Sequence, residues 1–171
     1  GKNKGFLTAF FILWGACSIF LALLLWNVVG TKWASLGVIL LFVSGIGAIM
    51  GGLFDINHPK HGLAFALGVP TLPVAALLIG YHLVGLENWS GSKTSILLST
   101  HATWFSVVLM ALAMMVMFSG FKNAGVQLGK DAPPIESVPD GVVALGGYAN
   151  RLLVFCYIFW TILVAKTYLK P

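Results

Sequence analysis

Charge is what this sequence lacks most. Only 9% of its 171 residues are charged while 58% are hydrophobic, and the mean hydropathy is +0.94. A soluble domain carries about 25% charged residues. So thin a supply cannot cover a water-facing surface, which excludes an ordinary globular protein and leaves the bilayer as solvent. Basic runs are absent too. The ten basic and five acidic residues giving the net charge of +5 are scattered over turns and termini. That excludes a nucleic-acid footprint and suits anionic lipid headgroups instead. Cysteine is limited to Cys17 and Cys156, both inside apolar runs. They form no spaced disulfide framework and behave as small hydrophobes. Also missing are a phosphate-cradling glycine loop, a nucleophile elbow, an HExxH helix and a kinase signature. No short h-region with a small-residue cleavage site marks residues 6–29 as a cleaved signal.

What is present is length of apolar run. Crossing a hydrocarbon core of about 30 Å takes about 20 helical residues. Five segments qualify: 6–29, 34–54, 62–86, 95–119 and 146–168. The first four contain no Asp, Glu, Lys or Arg, and the fifth only Arg151 and Lys166 near its ends. Backbone groups in lipid must be bonded within the segment, so the fold class is all-α, a polytopic transmembrane helix bundle in a single domain. Residues 120–145, with three prolines and four glycines, read as a surface loop.

Five crossings place the termini on opposite sides. On the side of residue 1, the near side, lie the 55–61 turn and the 120–145 loop, with Lys2, Lys4, Lys60, Lys122, Lys130 and Arg151. The far side carries Lys32, Lys93, Lys166 and Lys170. Six basic residues against four lean toward a cytoplasmic near side. Trp26, Trp33, Trp89 and Tyr168 fit an aromatic belt at the far interface. Asn88-Trp89-Ser90 fits a glycosylation tripeptide, a match short enough to arise by chance. Within 34–54, Ser44, Ala48 and Gly52 recur every four residues, and Gly47 with Gly51 makes a second small pair; such stripes let helix backbones approach closely. Pro70 and Pro73 predict a kink that frees carbonyls in mid-membrane. The run from Ala111 to Phe118 (ALAMMVMF) reads as adaptable core.

Polar residues inside this apolar frame carry the functional expectations. GGLFDINHPKHG (51–62) gathers Asp55, His58, Lys60 and His61 between two apolar runs. Tyr148, Asn150 and Arg151 open the last helix at the same nominal depth. A leading candidate pocket is Asp55, His61 and Arg151 with His58 and Tyr148, roofed by the 120–145 loop. It would bind a lipid headgroup or other anionic amphiphile, with arginine as bidentate clamp. The same carboxylate and imidazoles are the minimum for acid/base hydrolase or transferase chemistry on a lipid. They also offer a zinc site on Asp55, His58 and His61, although Pro59 keeps them off one helical face. The bland alternative is a set of helix ties in a structural subunit of a membrane complex, its partners being lipids and other membrane subunits. His82 and His101 flank the 87–94 loop at similar depth. They could ligate a b-type haem in an electron-transfer subunit, or simply hydrogen-bond nearby carbonyls and hydroxyls.

A Gly-rich helix ending in GLFD, a histidine opening the next helix (His61), and a last helix beginning ANRLL and continuing to FW resemble the bacterial membrane family catalogued as domain of unknown function 998. The resemblance spans roughly residues 6–168. It implies six helices, hence one before residue 1, and a bacterial inner (cytoplasmic) membrane location. It implies that Asp55, His61 and Arg151 form a shared site, without naming an activity.

Overall fold

In the computed structural model, residues 4–56, 58–127 and 137–169 are described. Six α-helices follow in order: α1 Lys4–Leu25, α2 Lys32–Leu53, α3 His61–Gly68, α4 Thr71–Leu83, α5 Lys93–Asn123 and α6 Gly146–Tyr168. A 3₁₀ turn, Glu87–Ser92, precedes α5. Among the described residues there is no strand. Taking α3 and α4 as one span, the described residues include five helices long and apolar enough to cross a membrane. It is an all-helical integral membrane protein.

The helix ends follow local chemistry. Thr31 caps α2, its Oγ1 accepting the Ala34 N–H at 3.3 Å, the ordinary use of threonine at an N-cap. The first run stops being helical at Leu25, and Trp26–Val28 form turns. The third run is loosened where the proline pair stands: α3 ends at Gly68 and α4 begins at Thr71, while Val69 and Pro70 between them keep right-handed helical dihedrals. Proline explains the loosening, because neither Pro70 nor Pro73 has an N–H to give. In particular, Pro73 leaves the Val69 carbonyl four residues back without its helical donor. Three side-chain hydroxyls take over. Tyr157 of α6 donates to Val69 O, Ser44 of α2 to Gly68 O at 3.0 Å, and Thr71 to Leu67 O.

Glycine brings the backbones close enough for these bonds. A Cβ on Gly47 would stand 2.3 Å from Gly68 N and 2.6 Å from Gly68 Cα, so α2 and α3 touch backbone to backbone. Gly15 and Gly45 make a second such crossing between α1 and α2, a Cβ on Gly15 falling 2.5 Å from Gly45 O. Of the small-residue stripe, Ser44 and Gly47 serve the α3 contact. Gly52 faces α1, its carbonyl accepting Thr8 Oγ1–H at 2.8 Å.

The far half is tied by a second polar chain. Trp160 Nε1 donates to Thr100 Oγ1 at 3.0 Å, and Thr100 Oγ1 reaches Ala76 O at 3.5 Å, linking α6, α5 and α4. Around it pack Leu72, Ile79, Leu83, Ile96, Leu153 and Val164. Trp89 turns into this core at 6% exposure, leaving Trp26 and Trp33 as the outward tryptophans of the far belt. Met115 faces outward at 60% exposure and no residue from 111 to 118 is buried, so the run read as adaptable core lies mostly on the bundle's outer face.

The Gly47 crossing gives a clean contrast. Gly47→Ala should destabilise by about 1–3 kcal/mol, since backbone atoms cannot move aside cheaply. Gly51→Ala, where a Cβ meets nothing within 4 Å, should be neutral or stabilising by up to about 1 kcal/mol. Thermal unfolding in one detergent checks the ordering, and equal midpoints for the two variants would refute it.

Candidate functional site

At the near face α2 ends on Phe54, whose N–H returns to Met50 O at 2.8 Å. The chain then reverses in two tight turns, His58 N–H to Asp55 O and His61 N–H to His58 O, each 2.9 Å. Phe54 is the hub of this reversal. The His58 ring stacks on it, with centroids 4.3 Å apart, and Lys60 Nζ lies 5.7 Å from its centroid. His58 Nδ1 accepts the Lys60 N–H at 3.1 Å, so it is used inside the turn.

His61 behaves differently. Its Nδ1 lies 2.9 Å from Phe54 O, and a carbonyl only accepts, so Nδ1 carries the hydrogen and Nε2 is a bare acceptor in the neutral ring. The cation beside Asp55 is Lys4, with Nζ to Oδ2 at 3.0 Å across two exposed side chains. Arg151 instead stands over the Tyr148 ring at 5.5 Å, and both are exposed.

Thus the expected five-residue pocket is divided. Asp55 and His58 belong to the hairpin, and Tyr148 and Arg151 to the outer surface of α6. Only His61 turns toward α6, and its counterpart there is Asn150. Both line a cavity of about 150 Å³ between α1, α2, α3 and α6. Phe11 and Trp14, Gly47 and Ala48, Ala64 and Phe65, and Leu153 and Tyr157 supply most of the remaining wall. The lining grades from exposed Phe65 and Asn150 to buried Ala48 and Tyr157.

Trp14 is the eleventh residue of α1, about 15 Å along the helix from its near end. The cavity therefore runs from the near face toward mid-membrane. Among the described residues no carboxylate lines it, so Asp55 is not brought to His61 there. Among the described residues, no three His, Cys, Asp or Glu side chains converge as a metal-binding group, and Asp55, His58 and His61 point to different partners. The expected roof, residues 120–145, is described only at its two ends. Residues 128–136 lie outside the described residues, and residues 141–143 stand against the end of α5, where Val142 touches Gly120.

Residues 1–167 match the model described as "Protein of unknown function (DUF998)". The chain belongs to the DUF998 family. No curated protein and no solved structure matches it. In this DUF998 chain the GLFD…H and ANRLL motifs are the two sides of the cavity mouth. GLFD supplies the carbonyl that orients His61, and ANRLL supplies Asn150 and Leu153.

On the far side the two histidines enter separate networks. His82 Nε2 accepts the Gly30 N–H at 3.4 Å, fastening the α1–α2 turn to α4. His101 Nδ1 accepts from Trp104 Nε1 at 2.9 Å. Its ring hydrogen is then on Nε2, facing Tyr81 Oη at 3.2 Å. The haem pairing considered for His82 and His101 would require both networks to be given up.

Sequence reasoning missed Trp14, Tyr157 and Ser44. The available signal was chemical. A tryptophan N–H or tyrosine hydroxyl in the middle of an apolar run must find a partner, and a proline in the next span supplies a carbonyl in want of one. Tyr157→Phe should therefore cost about 1–3 kcal/mol, the penalty of leaving Val69 O unsatisfied away from water. Chemical or thermal unfolding in detergent reads this out. A variant as stable as the parent would show that another donor replaces the hydroxyl.

Proposed function

We propose that this DUF998 protein binds a membrane amphiphile at the near face. The polar end sits at His61 and Asn150 and the apolar part enters the cavity between α1, α2, α3 and α6. The observation that carries this reading is the gradient in the cavity wall, from an imidazole and an amide at the mouth to Ala48, Leu153 and Tyr157 inside. That order of chemistry matches an amphiphile lying in the leaflet, and sites for small molecules are commonly apolar hollows with a few placed polar groups. Arg151 and Lys60, exposed on either side of the mouth, favour an anionic headgroup. The excess of basic residues on the near side supports a cytoplasmic near face, and we place the protein in a bacterial cytoplasmic membrane.

Binding is read by native mass spectrometry of protein released from detergent with added phosphatidylglycerol. Gly51→Leu puts a side chain into the cavity wall where a Cβ has free space, and it should abolish retention of a single lipid. Arg151→Ala should lower retention of phosphatidylglycerol several-fold while leaving phosphatidylcholine unchanged. Retention unaffected by Gly51→Leu, Arg151→Ala and His61→Ala would sink the reading.

A further inference from the structure

The inner end of the cavity holds a donor with nothing to donate to. Trp14 lines the void, and its indole Nε1 is buried without a hydrogen-bond partner among the described residues. Two hydroxyls near it are already engaged as donors. Tyr157, whose ring lies 6.2 Å from that of Trp14, gives its hydrogen to Val69 O. Ser18 gives its own to the Trp14 carbonyl at 3.0 Å. An unmet N–H away from water is costly, and buried tryptophans ordinarily have theirs bonded. Being an N–H with no lone pair to offer, it selects for an acceptor oxygen.

Size and wall chemistry narrow the occupant further. A void of about 150 Å³ has room for one benzene-sized ring, and this cavity measures about 150 Å³. Phe11, Trp14, Phe65 and Tyr157 line it, and aromatic rings prefer edge-to-face or offset contact with one another. Phe65 is half exposed at the cavity's edge, an apolar ring beside the opening.

We infer that the cavity takes a single six-membered ring bearing an acceptor oxygen on an apolar chain, a quinone-type lipid, with Trp14 Nε1 as the donor to that oxygen. This takes the same cavity as the amphiphile reading above but turns its occupant round, with the oxygen-bearing ring at the inner wall and the apolar chain leading out past Phe65. Nε1 has no open surface in the structure, so this hydrogen bond requires the indole to turn toward the void.

Two probes of equal chain length separate the parts of this inference: 2-decyl-1,4-benzoquinone and decylbenzene, titrated against the full chain in detergent with the thermal midpoint as readout. The quinone should raise the midpoint saturably, at about tenfold lower concentration than decylbenzene, the worth of one neutral hydrogen bond. In Trp14→Phe, which keeps a ring in the wall, the quinone should lose that tenfold and the two probes should become equal. Gly51→Leu leaves Trp14 in place and fills the void, so it should abolish both shifts and guards against misfolding of the tryptophan variant. Equal potency of the probes on the parent chain, or a quinone preference that survives Trp14→Phe, would overturn the role of the oxygen. Phospholipid retention measured in parallel would then still stand. A quinone shift that survives Gly51→Leu places binding outside the cavity and overturns the site itself.

Discussion

A carbonyl without an amide to meet it is the constraint around which this bundle is arranged. Pro73 withholds the N–H that Val69 O would receive in a continuous helix, in a region where no water can substitute. The Tyr157 hydroxyl closes that gap from α6. Because the bond joins residues 88 positions apart in sequence, it fixes the last span against the loosened third one. Ser44 does the same from α2, and it reaches only because Gly47 and Gly68 let the two backbones meet. The loosened joint between α3 and α4 thus serves as the bundle's point of registration.

The cavity is a by-product of this geometry. Tyr157 reaches across to Val69, so α6 approaches the third span at mid-membrane, the level at which Gly47 and Gly68 bring α2 against α3 and Gly15 and Gly45 bring α1 against α2. The wedge left between α6 and the other three is wide enough for a ring and lined by whatever those helices present. Neither Asp55 nor Lys60 of the hairpin is among its lining residues.

Architecture was legible in the sequence because it depends on run length and on the near-absence of charge inside the runs, both one-dimensional properties. The proline pair was legible as a disturbance, and the structure makes of it a loosened joint between α3 and α4. Partnerships were less accessible. Nominal depth put Asp55, His61 and Arg151 on one level, but depth says nothing about azimuth around a helix axis. Arg151 projects outward and stacks on Tyr148, while its neighbour Asn150 takes the inward place. Likewise His82 and His101 share a depth but face different helices. The donor–acceptor logic that links Pro73, Val69 and Tyr157 was available in principle. It needed the knowledge that spans three and five are neighbours, which no local pattern supplies.

One helix is out of proportion with the rest. α5 has 31 residues against 22 in α1 and in α2, which makes it about 46 Å long where they are about 33 Å. Its surplus cannot be absorbed by a bilayer fitted to the others unless it leans or stands clear. Gly120, near its last turn, is seated against Val142, and Met114 against Gly146 at the root of α6. The projecting end of α5 is therefore braced to the base of the helix that carries Asn150 and Tyr157. Anything that pushes on that end from the aqueous side, a partner domain or a crowded membrane surface, acts on a strut whose other attachment is one wall of the cavity.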